Sequence, residues 1–315
     1  NHKPRRRYRS SCGICSQALI TYHVSMNHNA VLLALISAAL FGVSTPAAKA
    51  LLGSIEPAVL AGILYCGAGL GVAVLRRLGR PWFASAANSE ASLTNSDIPW
   101  LAGAIVSGGI LGPVLLMVGL SRTDASAASL LLTLEGVATA LLAWFAFHEN
   151  FDRRIALGMA CLVAGAVVLS WTGQPEISGL IGPIAIIGAC MAWGLDNNLT
   201  RKVSLADPLQ IVELKGLIAG PVNLALGLSA GESLPSLGPL LVASVVGFFG
   251  YGVSLALFVL GLRHLGTART GAYFSTAPFL GTLAAIVFLR EPITLQLVAA
   301  GLLMGLGVWL HLTEH

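Results

Sequence analysis

Apolar runs of membrane-spanning length alternate with short polar connections along almost the whole chain. They lie near 30–50, 56–76, 99–120, 125–147, 154–172, 180–200, 208–229, 238–261, 267–289 and 293–312. Each approaches the ~20 residues that a helix needs to cross a bilayer core. The pattern predicts an all-α membrane protein with ten transmembrane helices. Short connections imply antiparallel neighbours. The exception is 77–98, which is polar and rich in Ser and Asn around Asn88-Ser89-Glu90.

The pattern is also written twice. Gly119-Leu120, Glu149 and Gly165 recur without a gap as Gly261-Leu262, Glu291 and Gly307, at an offset of 142 residues. Phe41-Gly42 and Lys49 recur as Trp193-Gly194 and Arg201 at an offset of 152, and Glu56-Pro57 and Gly69 as Asp207-Pro208 and Gly220 at 151. The drop in offset places extra residues in the 77–98 connection of the first copy. Each copy holds five spans, and an odd number forces the two copies through the bilayer in opposite senses. The expectation is two inverted five-helix repeats, 29–173 and 178–313, an arrangement common among secondary transporters. A basic tail, 1–28, precedes them. It is expected to be disordered, and its residues 1–25, which lack an apolar face, are expected to be dispensable.

Composition narrows the class. Charged residues make up 10% of the chain and hydrophobic ones 56%, against about 25% charged in soluble domains. The net charge of +4 is concentrated in the tail, where Lys3, Arg5, Arg6, Arg7 and Arg9 stand with no acid. Such a tail beside a membrane segment reads as a cytoplasmic anchor. No folded basic domain follows it, which argues against nucleic-acid binding. Of the 18 Lys and Arg, all but Lys49, Arg122, Arg290 and the intramembrane Lys215 fall on the side of the N-terminus when ten spans are threaded. By the positive-inside rule both termini are cytoplasmic. The basic run, the apolar stretch from Ala30 and the Ala48-Lys49-Ala50 triplet also resemble a cleavable leader. The match of Phe41-Gly42 and Lys49 to the second copy argues that this segment belongs to the repeat.

The aromatic-Gly pair followed at fixed distance by Lys or Arg, the fourth helices ending His148-Glu149 and Arg290-Glu291, and the Gly-rich fifth helices resemble the EamA family of the drug/metabolite transporter superfamily. The resemblance covers residues 30–312, and its specificity comes from the duplication of weak motifs at constant offsets. It implies a small-molecule permease of the bacterial inner membrane, often an exporter of amino acids or other metabolites, without ATP or a metal. The chain departs from it in the fourth helix, where Gly136, preceded by Glu135, stands at the position matching Pro278.

Several residues could carry chemistry. Glu135 lies midway along its span, where a carboxylate rarely faces lipid, and could hold a substrate amine or a coupling proton. The alternative is a protonated Glu bonded to a neighbouring helix. Glu213 and Lys215 share the seventh span but point apart. Lys215 could pair with Glu135 across the halves, or snorkel to headgroups. Trp193, Asp196, Asn197 and Thr200 recur at i, i+3, i+4 and i+7, hence on one face. That face could line a cavity, or Asp196 and Asn198 could merely cap the inner helix end. Tyr251 and Tyr273 could hold an amphipathic or cationic solute. Phe274 reads more as packing. Glu149 and Glu291 read as structural, binding loop backbone or a nearby Arg. Cys66, Cys161 and Cys190 lie in apolar spans as small hydrophobes. Cys12 and Cys15 form a C-x-x-C without the second ligand pair of a zinc finger. His148-Glu149 is followed by Asp152 where a zinc motif needs His. Hence no metal or other cofactor is expected.

The reading is a secondary transporter of a small organic solute, moving it outward by alternating access. Proton coupling and a homodimer are left open. The alternative is a non-transporting membrane protein, either a lipid-modifying enzyme or a partner-binding subunit. An enzyme would want paired carboxylates or a His/Asp cluster at one depth, and a binding subunit a large aqueous domain. The charge distribution makes one direct prediction. Cysteines introduced at Asn1 and His315 should react with an impermeant reagent only from the cytoplasmic side. Labelling of either from outside overturns the topology.

Overall fold

A computed structural model describes residues 13–78, 93–147, 153–171, 177–203, 206–265 and 267–312. The described elements form ten helices. The first half contains α1 (Gly13–Leu51), α2 (Pro57–Leu78), α3 (Ile98–Ala104, a π-helical Ile105–Leu111 and Gly112–Ser121), α4 (Ala125–Leu131 and Leu134–Phe147) and α5 (Arg153–Ser170). The second contains α6 (Ile177–Lys202), α7 (Pro208–Ser229), α8 (Leu237–Gly247, a π-helical Phe248–Val253 and Ser254–Leu265), α9 (Thr267–Phe274 and Ala277–Phe288) and α10 (Leu295–Leu312).

Among the described residues eight helices are long and apolar enough to cross a membrane, and Ala277–Phe288 and Leu295–Leu310 are shorter apolar helices. The ninth predicted span falls short because α9 is interrupted at Ser275-Thr276, and its first piece carries Thr267, Arg269 and Thr270. Helix α1 begins at Gly13, within the 1–28 stretch, and runs unbroken into the first span. Residues 1–12, the 79–92 connection and His148-Glu149, read above as a structural helix end, lie outside the described residues. Leu32, Val43, Val163, Val167, Leu241 and Leu302 are exposed on outward faces, which is the surface of a multi-pass protein seated in lipid rather than water.

The helix pairs come in corresponding sets. Helix α2 packs on α7, α4 on α9 and α5 on α10, each against its own repeat partner. Helix α1 packs on α8 and α9, and its partner α6 packs on α3 and α4. Each half therefore lays its first helix against the third and fourth helices of the other half. Lipid offers no hydrophobic drive for helix association, so small residues that let backbones touch decide where such crossings form. A Cβ on Gly42 would strike the Ala277 carbonyl and the Gly281 amide. A Cβ on Gly194, its repeat partner, would strike Ala138 and the Thr139 amide. The aromatic-Gly motif is thus a crossing point, with the ring turned to the centre and the glycine against the opposite backbone.

Helix ends are closed by side chains from elsewhere in the chain. Glu291 accepts from the amides of Ala125 (2.7 Å) and Ser126 (2.8 Å), capping α4. The turn that brings it there passes through Arg290 at φ 57°. Glu232 accepts from Ala58 (3.3 Å) and Val59 (2.8 Å) at the start of α2. Lys49 donates to the carbonyls of Leu120 (2.7 Å) and Thr123 (2.8 Å) at the end of α3. Arg76, near the end of α2, pairs with Asp207 (2.9 Å) and with Glu213 on α7.

The crossing glycines give a stability prediction. Gly42→Leu or Gly194→Leu should lower stability by about 1–3 kcal/mol or more, the cost of overpacking. Gly238→Ala, where a Cβ meets nothing within 4 Å, should be neutral. Thermal unfolding in detergent micelles checks the contrast.

Candidate functional site

Both fourth helices break within one residue of the same repeat position. In α4 the ladder tightens where the Thr133 amide reaches the Leu130 carbonyl at 3.0 Å, and in α9 where the Thr276 amide reaches the Tyr273 carbonyl at 3.2 Å. Pro278 accounts for the break in α9, since proline suits the first turn of a helix and removes a donor from the turn before. The α4 break has no proline. Gly136 stands at that position and a local hydroxyl closes the turn, with Thr133 Oγ1 donating to the Leu130 carbonyl at 2.8 Å. Thr276 Oγ1 does the same to Tyr273 O at 2.7 Å. The Leu131 carbonyl takes the Cys190 thiol of α6 at 3.6 Å.

Glu135 sits in the first turn after the α4 break. The partial positive charge of a helix N-terminus favours a carboxylate there. Its Oε1 accepts from Asn197 Nδ2 of α6 at 2.9 Å, and the same amide reaches Thr139 Oγ1 at 3.2 Å. Thr139 Oγ1 donates to the Glu135 carbonyl at 2.8 Å, one turn below. Asn198 bridges the same two helices, donating to Thr139 O at 3.1 Å and Gly194 O at 2.8 Å. The Glu135 side chain is half-buried and Asn197 is exposed, so this polar contact joins the two halves without being sealed inside them.

Lys215 does not join Glu135. Its Nζ donates to Asp196 Oδ1 at 2.5 Å and to Thr200 Oγ1 at 3.0 Å, and Thr200 donates to the same carboxylate oxygen at 2.8 Å. Asp196 and Lys215 are 9% and 8% exposed. Of the two alternatives weighed for Lys215, neither the cross-half pair with Glu135 nor a reach to headgroups is formed; it pairs with Asp196 of α6 within the second half.

The aromatic side chains meet at Phe41. Its ring centroid is 6.3 Å from Trp193, 5.9 Å from Tyr251 and 5.4 Å from Phe274. Tyr65 stacks on Tyr251 at 5.6 Å. Trp193 and Tyr251 therefore both border the Phe41 ring. Tyr273 shares no ring contact with them, and Phe274, read as packing, takes the place beside Phe41.

Two members of the centre were not foreseen, and both bind backbone. In α3 the Gly112 amide donates to Ser107 O, five residues back. Pro113 has no amide to offer, so the carbonyls of Gly108 and Gly109 lose their helical donors. Gly108 O instead accepts from Tyr65 OH at 2.8 Å and Trp193 Nε1 at 2.9 Å. Gly109 O accepts from Asn223 Nδ2 of α7 at 2.9 Å. The available signal was the Gly108-Gly109 pair four and five residues before a mid-span Pro113, together with lone polar residues, Tyr65 and Asn223, at mid-depth in α2 and α7. Among the described residues no cluster of His, Cys, Asp and Glu is placed to hold a metal ion.

Comparison with known proteins places this architecture. The model of the EamA-like transporter family matches residues 28–171 and again 180–313. An uncharacterized transporter of Methanothermobacter thermautotrophicus is 29% identical over 284 residues, covering 86% of this chain and 82% of that protein. The uncharacterized transporter YvbV of Bacillus subtilis is 24% identical over 207 residues, 62% of this chain and 66% of its own length. A probable 4-amino-4-deoxy-L-arabinose-phosphoundecaprenol flippase subunit, ArnE, of Pseudomonas aeruginosa is 35% identical over 101 residues, 32% of this chain and 85% of its own length. A solved crystal structure with 18% identity superposes with a TM-score of 0.65, covering 90% of this chain and 95% of that one, and shares the fold. With both five-helix units matched, this chain belongs to the EamA-like transporter family and is a multi-pass membrane protein.

Proposed function

We propose that the protein is a ten-span secondary transporter whose two halves are inverted in the bilayer. It sits in the inner membrane with both termini in the cytoplasm and carries a small organic solute outward by alternating access. The corresponding helix pairings support the inversion, since an in-plane two-fold axis exchanges α1–α8 with α6–α3 and leaves α2–α7, α4–α9 and α5–α10 in place. The interruptions in α4 and α9 support a site between the halves, because broken helices in a membrane are tolerated where they border a cavity.

The observation that carries the reading is the state of Glu135. The other acids described within the spans are matched by cations: Asp196 by Lys215 and Glu213 by Arg76. Among the described residues Glu135 has a neutral amide donor, Asn197, and no paired cation. A carboxylate at mid-membrane with no fixed counter-charge is suited to a mobile one, either a proton or a cationic group of the solute. The Asp196–Lys215 pair and the aromatic residues Trp193 and Tyr251 then shape the cavity around it.

Two tests follow. A panel of amino acids and organic amines in proteoliposomes, with and without a pH gradient, should identify a transported solute. For that solute Glu135→Gln should reduce gradient-driven transport at least tenfold, a loss of about 1.4 kcal/mol or more. Normal transport with normal pH dependence in that variant would make Glu135 structural. The Asp196–Lys215 pair should behave differently. Asp196→Asn or Lys215→Met alone should cost about 3–5 kcal/mol of stability by leaving one charge buried, and the double change should recover most of it. Thermal unfolding of the three variants checks this.

A further inference from the structure

The turn between α3 and α4 is gripped from both sides by groups that belong to other helices. Lys49, in the last turn of α1, donates to the carbonyls of Leu120 and Thr123 at 2.7 and 2.8 Å. Glu291, just past the end of α9, accepts from the amides of Ala125 and Ser126 at 2.7 and 2.8 Å. A cation thus takes the carbonyls where α3 ends and an anion takes the amides where α4 begins, each matched to the helix charge it meets. Thr282 of α9 adds a third tie, donating to the Ser126 carbonyl at 3.1 Å.

Helix capping alone does not require this arrangement. Asp124 stands immediately before α4, a residue type suited to capping, and its side chain makes no cap hydrogen bond there. Asp207, at the same place before α7, does cap its own helix, accepting from the Leu209 amide at 2.9 Å. The first amide of α4 is instead given to a residue 166 positions away. Lys49 likewise passes over its own helix end to reach carbonyls 71 and 74 positions away. The turn that presents Glu291 holds Arg290 at φ 57°, a strained conformation for a residue with a side chain, and such strain persists only where neighbouring contacts enforce it.

The clamp joins two groups of helices. Helix α1 packs with α8 and α9, and α6 packs with α3 and α4. Lys49, Thr282 and Glu291 belong to the first group, and the turn they hold belongs to the second. At mid-membrane the groups meet through rings and backbone, Phe41 against Trp193 and Gly281 against Ser129. At this end they meet through charges, and Lys49 and Glu291 are only partly buried. Water can replace a lost partner at such a boundary, which it cannot do in the lipid core. Lys49 and Glu291 can therefore part from the turn without leaving a group unpaired.

We infer that Lys49 and Glu291 are the gating residues on the face away from the N-terminus. They hold the α3–α4 turn against α1 and α9 while that face is closed, and release it when the face opens. The inference rests on the alternating-access reading above and adds to it the groups that keep one side shut.

Pulsed electron–electron double resonance between two spin labels tests it without a known solute. The labels sit at Arg122→Cys in the turn and Ile293→Cys beyond Glu291, both exposed. The full chain is used in lipid nanodiscs, with Cys12, Cys15, Cys66, Cys161 and Cys190 changed to Ala. With the clamp intact, one short distance should dominate. Glu291→Ala and Lys49→Met should each raise the ratio of a longer population to the short one by about tenfold, the effect of losing charge-assisted hydrogen bonds. Glu291→Gln keeps one acceptor and should fall between; it is the second variant should Glu291→Ala fail to fold. Lys49→Arg, which installs the residue type of its repeat partner Arg201, should keep the original distribution. A control pair, Gly53→Cys with Ile293→Cys, spans α1 and α9 within one group and should not change. A Cβ at Gly53 meets only Ala50 O at 3.5 Å, so the label is accommodated. Lower thermal stability with an unchanged Arg122–Ile293 distribution in Glu291→Gln and Lys49→Met would make both residues plain helix caps and overturn the inference. Transport assays separate it from the function it rests on. An unchanged distribution with transport intact would sink the clamp alone. A longer population in the variants, with no solute carried by the intact chain, would count against the transporter and leave the clamp standing as the contact that opens.

Discussion

A lipid core offers no hydrogen bonds, so every backbone group freed inside it must find a partner from the chain itself or face a filled cavity. That constraint explains most of the polar residues in this protein. Glu291 and Glu232 complete the first turns of α4 and α2. Lys49 closes the last turn of α3. Thr133 and Thr276 mend the breaks in α4 and α9, and Trp193, Tyr65 and Asn223 hold the two carbonyls that Pro113 releases. Most of these contacts join segments distant in the chain, so satisfying the backbone also ties the halves together.

The same constraint sorts the charges. An acid that caps a helix or faces a fixed cation is satisfied by the fold and has nothing left for a ligand. Glu291, Glu232, Glu213 and Asp196 are of this kind. Glu135 differs because its position after the α4 break already supplies the helix dipole, while among the described residues its side chain meets an amide rather than a cation. The second half has Ala277 and Pro278 at the matching positions. The break is shared by both halves, and the carboxylate is not. The duplicated scaffold and the unduplicated charge are thus separable features.

Glycine placement is what lets this arrangement close. Gly42 and Gly194 bring α1 and α6 against the opposite fourth helices, and Gly69 meets Gly216 where α2 crosses α7. Close backbone contact supplies the packing energy that lipid cannot supply through the hydrophobic effect. It also brings Phe41 and Trp193, each next to its crossing glycine, into one aromatic centre. The rings and the crossings are therefore one device, which is why an aromatic-Gly pair recurs in both halves.

The helical class, the repeat and the family were legible in the sequence because apolar length and duplicated spacing are local, additive signals. Glu135 was legible for the same reason, since a carboxylate in the middle of an apolar run stands out without any knowledge of neighbours. The partner of Lys215 was not. Asp196 and Glu135 both lie at reachable depth, and only the rotation of α6 relative to α7 selects Asp196. That Phe274 reaches Phe41 depends on how the first piece of α9 is turned against α1. Tyr65 and Asn223 were missed because their role is to meet carbonyls on another helix, whose release depends on Pro113. The amino-acid order by itself determined how many helices form, how they repeat and where a charge must be accommodated. Helix rotation, crossing and interruption, which depend on contacts between distant segments, decided which polar groups meet.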